Sequence, residues 1–152
     1  MVSLLIGRIR PKPDLQSNAK LSELDMDFSE KIYTWLASAL AQEVPESVVA
    51  FSFNLFELET AEAKYGIELV GADEFDPADS DWACGEEWVA SPRSISIPNA
   101  FANGDWDDCL RDAKRLLSNI LGESSTPATK LKEAKAVAIG FVDGDLELIW
   151  QR

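Results

Sequence analysis

Residues 47–58 read SVVAFSFNLFEL, and this run constrains the fold more than any other part of the chain. β-branched and aromatic residues dominate it, which is typical of a β-strand. Side chains alternate between the two faces of a strand, and one face here carries Val49, Phe51, Phe53 and Leu55. A strand with one apolar face needs strands beside it and a layer that covers that face. We therefore expect it to lie at the centre of a sheet.

Three further segments predict strands beside this one. YGIELVG (65–71) alternates in the same way, and the short connection at 59–64 favours antiparallel pairing with the central strand. WACGEEWVA (82–90) is expected to form a third strand. RSISIPN (93–99) is expected to form a short fourth strand that Pro98 ends.

The segment AKAVAIGFVDGDLELIW predicts a C-terminal β-hairpin. Asp143 and Gly144 are residue types favoured in two-residue type I′ turns. With that turn as the loop, apolar residues oppose one another in three pairs: 141 with 146, 139 with 148, and 137 with 150. The turn and the hydrophobic pattern therefore predict the same register.

Two segments have the periodicity of amphipathic helices. Residues 27–44 place apolar side chains at positions 28, 32, 36 and 40, with Asp27 or Ser29 as the N-cap and Pro45 after the end. Residues 105–122 carry a broad apolar stripe that starts at Trp106, and Gly122 is typical of a helix end. The tryptophans at 35, 106 and 150 fall on predicted apolar faces, so we expect them in the core.

These elements predict an α+β fold: an antiparallel sheet of about five to six strands, two main helices packed on one face, and a C-terminal β-hairpin. We expect residues 25–152 to form a single domain, with residues 1–24 as an N-terminal extension or edge strand. The apolar run at 2–6 is too short for a signal peptide or a membrane span. We therefore expect a cytoplasmic protein with reduced thiols at Cys84 and Cys109.

The distribution of charge limits the classes of partner that the protein can bind. The chain has 14 basic and 27 acidic residues, a net charge of −13. Residues 43–87 hold 13 of the acidic residues and one basic residue. Such an excess argues against nucleic acid and against anionic membranes as partners. The acidic excess then serves to bind a basic protein, to bind a small cation, or only to keep the protein soluble.

The segment YGIELVGADEFDPADSDWACGEEW (65–88) carries eight carboxylates and no lysine or arginine. A solvated acidic face is the simplest reading, but unrelieved like charges cost stability. A basic partner would offset that repulsion, and tryptophans beside the charge would supply desolvated anchors. The candidate partner-binding residues are Asp73, Glu74, Asp76, Asp79, Asp81, Trp82, Glu86, Glu87 and Trp88.

Metal binding and catalysis are the alternatives. The aspartates at 73, 76, 79 and 81 are reminiscent of a calcium loop, but no EF-hand frame has the glycine needed at its sixth position. The chain has no histidine, which disfavours a zinc site and leaves general acid–base work to carboxylates. We therefore expect no metal, no other cofactor and no enzymatic activity. A small acidic enzyme or divalent-metal-binding domain using the 73–87 carboxylates, or an acidic adaptor for another basic protein, stays open.

Residues 50–59 (AFSFNLFELE) and 65–88 resemble a family of small bacterial immunity proteins. A terminal strand that ends in Ile149 and Trp150 fits the same family. These proteins are encoded beside polymorphic or contact-dependent growth-inhibition toxins. The resemblance implies stoichiometric binding and neutralisation of a cognate toxin domain, without catalysis. Many such toxins are nucleases, which are basic where they hold phosphate, so a basic partner is implied. The resemblance assigns no contact residue, and the oligomeric state stays open.

Overall fold

A computed structural model describes the backbone of residues 16–152 and the side chains of residues 28–152. Of the N-terminal extension or edge strand expected at residues 1–24, residues 1–15 lie outside the described backbone, and residues 16–24 are helical. Within the described part, no helix has both the length and the apolar character needed to cross a membrane.

The described residues form an α+β fold with one five-stranded sheet and three helices. The strands are β1 (Ala50–Glu57), β2 (Tyr65–Ala72), β3 (Glu86–Ile97), β4 (Ala136–Phe141) and β5 (Glu147–Gln151). The helices are α1 (Gln16–Ala41), α2 (Trp106–Leu121) and α3 (Thr126–Leu131). The sheet order is β3-β2-β1-β4-β5, so the run at 47–58 supplies the central strand, as predicted.

The sheet is mixed, so the predicted antiparallel sheet is wrong. β1 pairs antiparallel with β2, but it pairs parallel with β4, with Phe53 opposite Ile139. The chain between β1 and β4 is long enough to cross from one end of the sheet to the other, as parallel pairing requires. Side-chain alternation has the same period in both kinds of pairing, so the hydrophobic pattern alone did not distinguish them.

The boundaries of two elements, β3 and α1, differ from the prediction. The two strands expected at 82–90 and 93–99 are one strand, β3, whose pairing with β2 shifts register twice. α1 begins at Gln16, so Asp27 and Ser29 lie inside the helix rather than at its N-cap. α2 matches the prediction: it runs from Trp106 to Leu121, between Asp105 as N-cap and Gly122 as C-cap.

The two faces of the sheet are unlike. On the inner face, the side chains at positions 51, 53 and 55 of β1 share one buried cluster with Phe28 and Leu36 of α1 and Leu117 of α2. On the outer face, β1, β2 and β4 present the small residues Ala50, Ala72 and Ala138. Large side chains fill the space between sheet and helices. The small outer residues allow loops to approach the sheet closely.

β4 and β5 pair antiparallel, but the predicted two-residue turn is not present. The connection spans residues 142–146, and no glycine in the described part of the chain has the positive φ that a type I′ turn requires. Val137 opposes Trp150 as expected, whereas Ile139 opposes Glu147 instead of residue 148. A register shift between Val137 and Ala138 accounts for the difference, because an extra residue on one strand displaces all later pairs.

Gly140 and Gly144 make a matched pair for testing this connection. A Cβ added at Gly140 would collide with the carbonyl oxygen of Asp145 and lie 3.0 Å from the Cα of Leu146. A Cβ at Gly144 would come no closer than 3.6 Å to its nearest neighbour. We predict that Gly140→Ala lowers the free energy of unfolding by about 1–3 kcal/mol in urea denaturation. Gly144→Ala should leave it unchanged or raise it by up to about 1 kcal/mol. Equal losses in the two variants would contradict the close approach at Gly140.

Candidate functional site

The predicted carboxylates gather at the end of the sheet where β1 and β4 begin and β2 ends. This acidic surface comprises Asp73, Glu74, Asp76, Asp79, Asp81, Glu86 and Glu87, and all seven are exposed. The first five lie in the loop between β2 and β3, and the last two open β3. Ala72, the last residue of β2, pairs with Glu86, so the two groups of carboxylates meet at one edge.

Two of these carboxylates also shape the loop that carries them. Asp76 accepts a hydrogen bond from the backbone N–H of Ala78 at 2.9 Å. Asp79 accepts one from the N–H of Asp81 at 3.0 Å and so caps the short 3₁₀ helix Ser80–Cys84. These local bonds favour a turn and a helical start over the strand that the sequence predicted at residue 82.

Trp82 anchors the acidic loop to the sheet. It is 4% exposed and packs against Ala50, Ala72 and Ala138 on the outer face. Phe75, from the same loop, meets its ring edge-on at a centroid distance of 5.3 Å. In this conformation the ring is out of a partner's reach, so we assign Trp82 to holding the loop rather than to the contact surface.

Trp88 lies on the opposite face of the sheet from Trp82. It pairs with Gly71, whose other neighbour in the sheet is Phe51, and this register places it on the inner face. The rings of Trp88 and Phe51 meet edge-on at 5.9 Å, and Trp88 stays half-buried at the margin of the core. The two tryptophans that flank the acidic segment therefore do not form one aromatic patch.

Few basic side chains neutralise the carboxylates of the acidic surface. Among the described side chains, its one ion pair joins Glu86 to Arg93 at 2.7 Å. Arg93 also pairs with Glu68 of β2 at 3.0 Å. Hydrogen bonds to Glu68 and then to Glu86 raise the pKa of Arg93 above its already high ordinary value. Glu87 accepts a hydrogen bond from the Ser47 hydroxyl at 2.7 Å, which positions this carboxylate without neutralising it.

Neither metal-ligand groups nor activated thiols stand out in the described region. No group of three or more carboxylate or thiol side chains there is arranged to hold a metal ion. Both cysteines are free: Cys84 is exposed and Cys109 is buried in α2. Burial, and then the charge of Asp112, raise the pKa of the Cys109 thiol to about 12, which suits a side chain that fills the core.

The prediction that Trp106 lies in the core is wrong. Trp106 is 53% exposed, at the first position of α2. Side chains of a helix lean toward its N-terminus, so a residue in the first turn projects beyond the layer that the rest of the stripe covers. Three aspartates around it, at 105, 107 and 108, were the available signal that this end of the helix faces water.

Comparison of the chain with protein-family models, with curated proteins and with solved structures found no match.

A pair of tryptophan variants tests the role assigned to Trp82. We predict that Trp82→Ala lowers the free energy of unfolding by about 3–5 kcal/mol, because it leaves a cavity over the alanines. Trp106→Ala should cost less than about 1.5 kcal/mol, since it loses one aromatic contact at an exposed site. Urea denaturation measures both. Similar losses in the two variants would contradict the anchoring role.

The two thiols should react at very different rates. We predict that one thiol per chain reacts quickly with an aromatic disulfide reagent at mildly alkaline pH, because only Cys84 is exposed and the thiolate is the reactive form. In Cys84→Ser, the remaining thiol should react only when the chain is unfolded in urea. Rapid reaction of folded Cys84→Ser would show that Cys109 is accessible.

Proposed function

We propose that this protein is an immunity protein that binds a cognate bacterial toxin domain and blocks it by stoichiometric inhibition in the cytoplasm. The partner we propose is a basic domain of the nuclease type. The observation that carries the proposal is the acidic surface: seven exposed carboxylates at one end of the sheet, with a single ion pair among the described side chains.

The like charges of that surface repel one another. Carboxylates crowded on one loop destabilise the fold that carries them unless cations are near. Lysine and arginine side chains of a partner would supply those cations on binding. Opposite potentials would also raise the association rate from about 10⁵–10⁶ to about 10⁸–10⁹ M⁻¹s⁻¹ at low salt. Rapid capture suits an inhibitor that must act before a toxin does.

The anchoring of the loop supports the same function. Trp82 and the bonds made by Asp76 and Asp79 hold the loop against the sheet before any partner arrives. A surface that is already ordered loses less conformational entropy on association. A nuclease is basic where it holds phosphate. Carboxylates held in a fixed array would cover that region and exclude the substrate's phosphates.

The family that residues 50–59 and 65–88 resemble implies that the partner to test is a toxin domain encoded by a neighbouring gene. We expect a one-to-one complex in calorimetry, loss of the toxin's activity in the complex, and rescue of growth when both are expressed together. A neighbouring toxin domain that binds nothing and stays active would overturn the proposal.

Charge reversal at Glu74 and Asp81 tests the surface itself. Both carboxylates are exposed. We predict that Glu74→Lys with Asp81→Lys slows association with the toxin domain at least about tenfold at low salt, measured by stopped flow. The matched control reverses Glu59 and Glu62, which are exposed in the β1–β2 connection at the opposite end of the sheet and change the net charge equally. It should slow association by less than about threefold. Equal slowing by both pairs would remove the acidic surface from the mechanism.

A further inference from the structure

A concave surface lies at the opposite end of the sheet from the acidic surface. Here β1 and β4 end, and a cavity of about 700 Å³ opens between the start of α2 and the β4–β5 connection. Trp106, Leu110 and Phe141 supply its apolar lining, and we call it the Trp106 pocket. A strand of eight residues separates the two ends by roughly 20 Å.

A row of aromatic rings fixes the exposed tryptophan of this pocket. Trp106 meets Phe141 edge-on at a centroid distance of 6.1 Å, and Phe141 meets Tyr65 in the same way at 5.6 Å. The Tyr65 hydroxyl donates a hydrogen bond to the carbonyl oxygen of Gly104 at 3.0 Å, two residues before α2 begins. The row positions Trp106 while more than half of its surface faces solvent. An exposed tryptophan held in a concave site is typical of a binding surface.

The pocket is lined by carboxylates with few counter-ions. They are Glu57, Asp107, Asp143, Asp145 and Glu147. Glu147 pairs with Lys114 at 2.6 Å, and the other four have no basic group within ion-pair distance among the described side chains. Burial first, then the Cys109 thiol, and then Glu57, Asp105 and Asp108 raise the pKa of Tyr65 at the end of the aromatic row.

We propose that the Trp106 pocket is a docking site for an arginine side chain on an exposed segment of a partner protein. A guanidinium is planar, so it stacks on the Trp106 ring while its N–H groups donate to the surrounding carboxylates. A lysine ammonium satisfies the charge but not the stacking geometry. The negative potential excludes phosphate-bearing partners, and the cavity is larger than one side chain, which suits a peptide segment. The site is independent of the proposed function, because it lies at the other end of the sheet.

The test uses two blocked peptides, Gly-Arg-Arg-Gly and Gly-Lys-Lys-Gly, titrated into the full chain at low salt. Nuclear magnetic resonance follows the indole N–H of Trp106, assigned with Trp106→Phe, together with the backbone amides of residues 143–147. We expect saturable shifts at both places, with the arginine peptide binding about two- to fivefold more tightly than the lysine peptide. Absence of a saturable shift at the Trp106 indole would overturn the proposal, and equal affinities would overturn the choice of arginine.

Matched variants separate docking from general attraction to an acidic protein. Asp143→Asn with Asp145→Asn removes two charges at the pocket, and Asp79→Asn with Asp81→Asn removes two at the acidic surface. We expect the first pair to weaken binding of the arginine peptide at least about threefold and the second pair less than about 1.5-fold. Trp106→Ala should weaken binding about fivefold. Equal effects of the two charge pairs, or no effect of Trp106→Ala, would assign the peptide to non-specific attraction.

Discussion

The contact of Trp82 with the alanines of the outer sheet face determines where the acidic surface lies. A tryptophan ring fits there because Ala50, Ala72 and Ala138 leave room above three neighbouring strands. Burial of so large an apolar ring contributes several kcal/mol, which is enough to hold a loop whose other side chains repel one another. Without that contact, the loop would lose the large apolar contact that holds it against the sheet.

The outer face also explains how the chain combines a stable core with unrelieved charge. The inner face of the sheet and the helices supply the large apolar cluster, which includes Phe53 and Leu117. On the outer face, Ser52 donates a hydrogen bond to Asn54, which donates to Glu68, which pairs with Arg93. This chain of polar contacts uses Arg93 within the sheet. Arg93 also pairs with Glu86, and the other six carboxylates of the acidic surface have no ion-pair partner among the described side chains.

The two negatively charged ends of the sheet are electrostatically separate at physiological ionic strength. Charges are screened over about 8 Å there, whereas the ends lie roughly 20 Å apart. Each end can therefore meet a cationic partner without weakening the other. Their geometries differ as well. The acidic surface is a loop held from behind by a buried tryptophan, and the Trp106 pocket is a cavity with its tryptophan exposed.

Local sequence pattern predicted the elements better than their arrangement. The period of apolar residues predicted α2 and the central position of β1, because burial of one face requires that period in any fold. It did not predict the parallel pairing of β1 with β4, since alternation is the same for either direction. Trp82 was expected at the binding surface and Trp106 in the core, whereas Trp82 is buried and Trp106 is exposed, for a related reason. Acidic neighbours made Trp82 look exposed and an apolar stripe made Trp106 look buried, but position relative to the sheet decides both.

The exposure of the carboxylates in the acidic surface follows from the sequence, because aspartates that form turns lie at the protein surface. All seven predicted carboxylates are exposed, and the structure gathers them at one edge. The sequence alone did not predict which face of the sheet each tryptophan occupies, or which arginine neutralises which carboxylate. Both depend on strand order and register, which arise from contacts between residues far apart in the chain.

Hydrogen–deuterium exchange of the chain, alone and bound to the basic toxin domain proposed as its partner, tests the central claim most directly. The central claim is that residues 73–87 meet a cationic partner as a preformed surface. It predicts slower exchange across this segment in the complex at about 0.15 M salt, with the exchange of β1 and β4 unchanged. Unchanged exchange at residues 73–87, with protection confined to a neutral part of the surface, would contradict it.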